Sequence, residues 1–275
     1  MKKITRRSFL AAAGLTAAAL ALTACGGSSS STASSAAASS EAAFSSAAAE
    51  LTTVEAGKLT MATNATFPPY EMTTDTGAFE GIDVDTAQAI AEKLGLELQI
   101  DDMDFDAALL SVQQGKADIV MAGVTVTDER KAVMDFSDSY ATGIQSIIVP
   151  EGSDIATPDD LAGKKIGTQR GTTGYIYCSD DFGDENVVAY DDGLTAVQAL
   201  NNGQVDAVVI DNAPAKEFVA ANPGLVILDT SYAEEDYAIG MAKGSALEDA
   251  INAALEELKA DGTLQSIVDK YITAE

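Results

Sequence analysis

The sequence contains no histidine and no tryptophan, and only two of its 275 residues are cysteines. Without histidine the chain cannot assemble a Ser-His-Asp or Cys-His catalytic group, and it offers zinc no imidazole ligand. The cysteines, Cys25 and Cys178, are too few for a cysteine-only zinc site. No Gly-x-x-x-x-Gly-Lys-Ser/Thr sequence occurs, so ATP hydrolysis would belong to a partner. The composition therefore predicts neither a cofactor nor this kind of catalysis.

Positive charge is also scarce, since 16 Lys and Arg stand against 43 Asp and Glu, for a net charge of −27. Such a field repels nucleic acid and anionic lipid head groups, so we expect no nucleic-acid partner. Asp101, Asp102, Asp104 and Asp106 lie close together, but they lack the central glycine and final glutamate of a calcium-binding EF-hand loop. We expect a solvated corner between a strand and a helix there, and no metal site.

No apolar run is long enough to span a membrane, yet the N-terminus has the pattern of an export signal. Four basic residues precede an apolar run from 9 to 22, shorter than the roughly 18–20 residues that span a bilayer. The sequence LTACG at 22–26 resembles a bacterial lipobox, which implies cleavage before Cys25 and lipidation of that residue. We expect residues 1–24 to be a lipoprotein signal peptide and the mature chain to be anchored by lipid at the extracytoplasmic face.

Two questions about export stay open. Residues 5–10 also resemble a twin-arginine signal, with Ala11 where that pattern prefers lysine, so Sec and twin-arginine export both remain. The location is either the surface of a Gram-positive cell or the periplasm of a Gram-negative one. After Cys25 the chain is mostly serine and alanine, which bury too little surface to fold. Residues 25–56 are therefore expected to be a flexible, lipid-anchored linker.

A unit that occurs twice, 88 positions apart, indicates the fold class. LLSVQQGKADIVMAG at 109–123 and VQALNNGQVDAVVID at 197–211 each read as a helix end, a Gly-x-x-Asp turn and a buried strand. Glycine suits the left-handed stop of a helix, and an unbroken apolar run suits a strand covered on both faces. Strands and helices alternate throughout the rest, which predicts α/β lobes with mostly parallel sheets. Ligands of open α/β sheets bind outside the carboxyl ends of strands, here at Gly123 and Asp211.

Several blocks together resemble one family. They occur in order as GIDVD at 81–85, MDF at 103–105, AGVTVTDER at 122–130, DFS at 135–137 and GTTG at 171–174. Over residues 59–271 the chain resembles family 3 solute-binding proteins, the polar amino-acid receptors of ATP-binding-cassette (ABC) importers. The resemblance implies a periplasmic-binding-protein-like fold of type II, with two α/β lobes joined by two hinge strands. Lobe 1 would comprise residues 57–142 and 238–275, and lobe 2 residues 143–237.

The resemblance also assigns the two charged ligand contacts. Arg130 matches the arginine that binds the α-carboxylate of the ligand through a planar, bidentate fork. Asp211 matches the acid that holds the α-ammonium group. The alternatives are a surface arginine on a helix face and an N-cap for a helix that begins at Pro214. Asp211 can serve both as a ligand contact and as that cap.

The remaining contacts follow from the same resemblance. Thr125 and the backbone of Gly123 match further ligand contacts. Thr172 and Thr173 match residues at the start of a helix, where free N–H groups and the helix dipole favour a carboxylate. Three aromatic residues match the pocket for the ligand side chain, with core packing as the alternative for the second: Phe67, Tyr70 and Phe105. Asn64 stands where receptors for cationic amino acids carry aspartate, and Gln169 faces the pocket beside Arg170. We therefore expect a neutral polar ligand, or an acidic one if Arg170 points inward.

The implied function is an extracytoplasmic receptor that binds an amino acid between its lobes. It would close about the hinge and deliver the ligand, as a monomer, to an ABC permease with separate ATPase subunits. The alternative is a periplasmic dehydratase of the same fold, acting on cyclohexadienyl or arogenate substrates through pocket acids such as Asp211 and Glu71. Without a histidine or a matched lysine in the pocket, the receptor is favoured. A sensor domain of a signalling receptor is less consistent with the absence of a transmembrane helix.

Overall fold

The computed structural model describes residues 51–272, so the signal segment, Cys25 and most of the linker lie outside the described residues. Fourteen strands are found within this range: β1 Lys58–Thr63, β2 Thr66–Phe67, β3 Glu71–Thr73, β4 Phe79–Glu80, β5 Glu97–Asp102, β6 Ile119–Val120, β7 Met134–Phe136, β8 Ala141–Pro150, β9 Ile166–Gln169, β10 Val187–Tyr190, β11 Ala207–Asp211, β12 Leu225–Ile227, β13 Ala233–Tyr237 and β14 Gly240–Ala242. In this part of the chain no helix has the length and apolarity that crossing a membrane requires.

Eight α-helices lie between these strands in the described range: α1 Ile82–Leu94, α2 Phe105–Gln113, α3 Asp128–Lys131, α4 Thr173–Phe182, α5 Gly193–Asn201, α6 Asn212–Ala221, α7 Glu248–Ala260 and α8 Thr263–Tyr271. Short 3₁₀ helices cover Pro158–Leu161 and Asp184–Asn186. The final pair, α7 and α8, is separated by Gly262, as the amphipathic pattern of the last thirty residues predicts.

The strands form two main sheets, one for each α/β lobe. The first has the order β5-β1-β6-β14-β7, and the second has the order β10-β9-β11-β8-β12 with β13 paired to β8. The strands that helices connect are parallel, namely β1, β5 and β6 in one sheet and β9, β10 and β11 in the other. The returning strands β8 and β14 pair with antiparallel neighbours. The prediction of mostly parallel sheets is therefore wrong. Both sheets are mixed, because the later strands of each lobe run antiparallel to their neighbours.

Strands β8 and β13 connect the two sheets. They are antiparallel neighbours, in register from Ala141 opposite Tyr237 to Gln145 opposite Ala233. The chain leaves the first sheet after β7, builds the second, and returns through β13 to β14. Two adjacent extended strands thus carry the chain between the two sheets.

The repeated Gly-x-x-Asp unit has the same structure in both lobes. Gly115 and Gly203 have φ values of 66° and 65°, the left-handed conformation that glycine adopts without strain. Asp118 accepts a hydrogen bond from the backbone N–H of Thr60, and Asp206 accepts one from that of Lys165. Each aspartate thus connects its own turn to the neighbouring part of its sheet, which is β1 in the first lobe and the residue before β9 in the second. The repeat is a local pseudo-symmetry of the two lobes.

Apolar side chains cover both faces of each sheet. In the first lobe α1, α7 and α8 pack on one face, with Leu59, Ile90 and Leu255 fully buried, and α2 packs on the other. In the second lobe α5 and α6 cover one face, and α4 covers the other, where Cys178 is buried among apolar neighbours. Burying a side chain of leucine size contributes about 1.5–3 kcal/mol. The polar loops at the strand ends are therefore held by two packed lobes.

Candidate functional site

The loop after β1 brings Asn64 and Phe67 to the carboxyl end of the first sheet. Asn64 is buried, and its side-chain amide donates to the backbone carbonyl of Met103 at 3.0 Å. Phe67 lies in the short strand β2, which pairs with β3 in a separate small sheet. Its ring packs directly against Gly123, where a Cβ atom would approach the ring to 2.9 Å. Gly123, with a φ of 55°, is therefore required by both its conformation and its contact.

Beneath this loop a buried aspartate fixes the backbone of the cavity wall. Asp83, in the first turn of α1, accepts hydrogen bonds from the Gly123 N–H at 2.9 Å and the Tyr140 hydroxyl at 2.7 Å. Burial raises the pKa of Asp83 to about 6, although both hydrogen bonds favour its ionised form. Glu71 lies close by, and burial followed by the charge of Asp83 raises its pKa well above the usual value. Glu71 lines the cavity, and Asp83 lies behind it against the Gly123 backbone.

Arg130 lies in the short helix α3, whose N-cap Thr127 accepts a hydrogen bond from the Arg130 backbone. Its side chain turns inward and is only 9% exposed, which excludes the surface alternative. The guanidinium donates to the backbone carbonyls of Thr125 at 2.7 Å and Gly171 at 3.1 Å, and it lies over the Phe105 ring at 5.4 Å from the centroid. Arg130 therefore contacts both lobes from the cavity wall.

The second lobe contributes the end of β9 and the start of α4. The side chain of Gln169 donates to the Asn64 side-chain oxygen at 2.8 Å, a direct hydrogen bond between the lobes. Thr172 is the N-cap of α4, and its hydroxyl accepts from the backbone of Tyr175. Thr173 follows as the first helical residue and is buried. The first backbone N–H groups of a helix have no intrahelical partner, so this end of α4 favours an anion.

Asp211 ends β11 and precedes α6, which begins at Asn212 and not at Pro214 as expected. It occupies the N-cap position, but its side chain makes no capping hydrogen bond. The Tyr237 hydroxyl on the linking strand β13 donates to its carboxylate instead. Burial raises the pKa of Asp211 to about 7. A buried carboxylate that has no cation bonded to it is stabilised when a positively charged group binds it.

Ten of the eleven residues assigned from the sequence, all except Tyr70, line one cavity between the lobes, which holds about 310 Å³ of space, part of it open to solvent. The lining residues are Asn64, Phe67, Glu71, Phe105, Ala122, Gly123, Thr125, Arg130, Gln169, Thr172, Thr173 and Asp211. Among these described residues Arg130 is the single cation, and it shares the cavity with the acids Glu71 and Asp211. The cavity therefore offers one positive and at least one negative group to a small molecule.

Three residues singled out from the sequence lie outside this cavity. Tyr70 is buried in the core against Phe67 and Tyr237, so core packing is its role. Arg170 is exposed on the rim, 3.5 Å from Asp191, and does not point inward. Cys178 is buried, and burial raises its pKa to about 12, which makes its thiol unreactive.

Three residues near the cavity were not assigned from the sequence: Asp83, Glu235 and Tyr237. Glu235 and Tyr237 act across long sequence separations, such as the 26 residues between Asp211 and Tyr237, so no local signal could have found them, whereas Asp83 lies in the block at 81–85. Among residues 51–272 no group of three or more Cys, Asp or Glu side chains is placed to hold a metal ion. The described part of the site consists of side chains and backbone groups that form hydrogen bonds or carry charge.

Known proteins of similar sequence and structure share this architecture. The L-cystine-binding protein TcyJ of Escherichia coli is 34% identical over 226 residues, which cover 80% of this chain and 85% of that protein. The arginine-binding extracellular protein ArtP of Bacillus subtilis is 33% identical over 228 residues, or 79% and 87% of the two chains. The structure of an ancestral arginine-binding protein bound to glutamine is 42% identical, with a TM-score of 0.76, over 80% of this chain and all of that one.

The fold and the cavity between the lobes define a two-lobed binding protein of the type II periplasmic class. The model of the bacterial extracellular solute-binding proteins, family 3, matches residues 59–274. The chain belongs to that family.

Proposed function

We propose that this protein binds one amino acid between its two lobes, outside the cytoplasmic membrane, and delivers it to an ABC importer. The observation that carries the proposal is the pairing of Arg130 with Asp211 in one cavity shared by both lobes. An α-amino acid presents one carboxylate and one ammonium group at fixed separation. A site with one buried cation and one buried carboxylate complements that pair of charges.

The carboxylate of the ligand would lie between Arg130 and the start of α4. The guanidinium is held by two backbone carbonyls, which leaves N–H donors for a ligand and fixes their direction. Charge-assisted hydrogen bonds contribute about 1.5–3 kcal/mol each. The ammonium group would bind Asp211, whose carboxylate already accepts from Tyr237. The Phe105 ring, which packs against the guanidinium of Arg130, would shield the contact between Arg130 and the ligand carboxylate from water.

For the ligand side chain we propose a neutral polar group. From the sequence, Asn64 and Gln169 are assigned to the part of the cavity that faces the ligand side chain. Their own side chains form a hydrogen bond with each other. A buried cation there would lack a direct counter-charge, whereas an amide or hydroxyl can be satisfied by the two side-chain amides. The named relatives include binders of arginine and cystine, so this preference rests on Asn64 and Gln169 alone.

The lobes would comprise residues 57–142 with 238–275, and residues 143–237, joined at β8 and β13. Hinge rotation about these strands leaves both cores intact, and the closed form would be presented to a permease with separate ATPase subunits. The relatives above are named as binding proteins and none as a dehydratase, so the enzyme alternative receives no support from them. Incubation with prephenate or arogenate, followed by product analysis, tests that alternative directly.

A lipid on Cys25 would hold the receptor at the membrane. The support is the sequence pattern of the export signal and of the serine- and alanine-rich segment behind it. Substituting Cys25→Ala is expected to move the protein from the membrane fraction to the medium or the soluble periplasmic fraction. Unchanged membrane association of that variant would contradict the anchor.

Isothermal titration against the twenty amino acids tests both the site and its specificity. Arg130→Ala and Asp211→Ala should each weaken binding at least about a hundredfold, because a ligand charge is left buried and unpaired at a cost of about 3–5 kcal/mol. Arg170→Ala and Asp191→Ala are matched controls on the exposed rim and should bind normally. Wild-type affinity in the two cavity variants would refute the site. Tighter binding of lysine or arginine than of any neutral or acidic amino acid would refute the side-chain preference.

A further inference from the structure

A buried glutamate on the linking strand β13 lies directly behind the cavity wall. Glu235 is only 7% exposed, whereas its neighbours Glu234 and Asp236 point to solvent, as alternation along a strand requires. Glu235 is opposite Gly143 of β8 in the sheet, at the covalent link between the lobes. Its carboxylate is therefore placed by the hinge and not by either lobe alone.

The Glu235 carboxylate bridges the two lobes through hydroxyl groups that line the cavity. Its Oε2 atom accepts from Thr125 Oγ1 of the first lobe at 3.1 Å and from Thr173 Oγ1 of the second lobe at 2.9 Å. Gln145 Nε2 donates to the same atom at 3.0 Å. The two hydroxyl oxygens are 3.5 Å apart. The second oxygen, Oε1, is buried and has no hydrogen-bond partner among the described residues.

These contacts commit the hydroxyl protons. A threonine hydroxyl carries one proton, so a hydroxyl that donates to Glu235 presents only lone pairs to the cavity. A carboxylate in the cavity needs donors, and it would face those lone pairs and the charge of Glu235 as well. Thr125 and Thr173 both line the cavity, so the ligand carboxylate and Glu235 compete for the same two protons.

We propose that Glu235 is an internal competitor of the ligand carboxylate, because it binds both threonine hydroxyls where the two lobes meet. An amino acid gains those hydroxyl protons only as Glu235 gives them up, so Glu235 sets how tightly the carboxylate end of the ligand is held. This inference rests on the proposed function for its biological meaning. Its chemistry concerns only a carboxylate anion and can be measured without knowing the amino acid.

Thermal unfolding of the unliganded protein in acetate tests the competition. Glu235→Ala leaves two free hydroxyl donors and a carboxylate-sized space between the lobes. Acetate at saturation should raise the melting temperature of this variant by about 3 °C or more relative to chloride at equal ionic strength. The wild type and the matched control Glu234→Ala should show no such difference. Adding Thr173→Val to Glu235→Ala removes one donor and should weaken the acetate effect.

An equal acetate effect in wild type and Glu235→Ala, or none in either, would overturn the proposal. Glu235→Gln retains the side-chain volume and should show a smaller acetate effect in the same direction. Failure of both Glu235 variants to fold would assign the residue to hinge stability and would also overturn the proposal. If no amino acid binds the wild type while acetate stabilises Glu235→Ala, the proposed function fails and the anion site stands.

Discussion

At the scale of single residues, the site depends on carboxylates that are buried before any ligand arrives. Asp211 faces Tyr237 of β13, with Glu235 and Gln145 nearby, and burial outweighs the hydrogen bonds that favour its ionised form. Burial also raises the pKa of Glu71, which lines the cavity, and of Asp83 behind it. Burial of these carboxylates is unfavourable, and an ammonium group bound at Asp211 would relieve it there.

This burial predicts a pH dependence of stability. The pKa of Asp211 is about 7 in the folded chain against a usual value of 3.8, so the folded chain holds a proton that the unfolded chain releases. The free energy of unfolding should thus fall as the pH rises from about 4 to about 7. Asp83 and Glu71 contribute in the same direction. Asp211→Asn should make the decline shallower, as urea unfolding at several pH values can measure. An identical slope in wild type and variant would contradict the assignment.

At the scale of elements, the two Gly-x-x-Asp turns perform one task in different surroundings. Asp118 accepts from the N–H groups of Val54 and Thr60 and is buried, whereas Asp206 accepts from the N–H of Lys165 and is exposed. In both lobes the turn connects the end of a helix to the strand that follows it. Because one aspartate is buried and the other is exposed, we expect them to contribute different amounts to the free energy of unfolding.

We expect Asp118→Ala to lower the free energy of unfolding by about 2–4 kcal/mol, because the buried N–H of Thr60 and the partly buried N–H of Val54 lose a charged acceptor. Asp206→Ala should cost about 1 kcal/mol or less, since water can replace its exposed carboxylate. Chemical unfolding of the two variants under the same conditions provides the comparison. Equal costs, or a larger cost for Asp206→Ala, would show that burial does not govern these turns.

At the scale of the whole molecule, several contacts between the lobes are polar. Asn64 to Gln169, Arg130 to Gly171, and Thr125 to Thr173 are hydrogen bonds or close polar approaches across the cavity. Water can replace such contacts at modest cost, so we expect the lobes to separate about β8 and β13. A ligand bound by both lobes adds contacts that only the closed arrangement makes.

Solution X-ray scattering should therefore show a smaller radius of gyration when a binding amino acid is added at saturation. The same amino acid should leave the radius of Arg130→Ala unchanged, because that variant lacks the anchor for the ligand carboxylate. Arg170→Ala, altered on the exposed rim, should contract like the wild type. No contraction of the wild type at saturating ligand would indicate a rigid site.

Much of this protein follows from local sequence. The left-handed glycines and the aspartates of the repeat, the start of α4 at Thr172, and the two final helices around Gly262 depend on nearby residues, so their patterns predict them. Ten of the eleven residues assigned from the family resemblance also lie around one cavity. Their roles in binding remain predictions.

Tertiary structure decided what joins distant positions. The return of β8 and β14 made the sheets mixed, and the side chain of Asp211 bonds Tyr237 in place of capping its own helix. Glu235 is 110 residues from Thr125 and 62 from Thr173, yet one oxygen atom accepts from both. Sequence determines conformations set by neighbours along the chain. Only folding brings together groups whose hydrogen bonds depend on the hinge between two lobes.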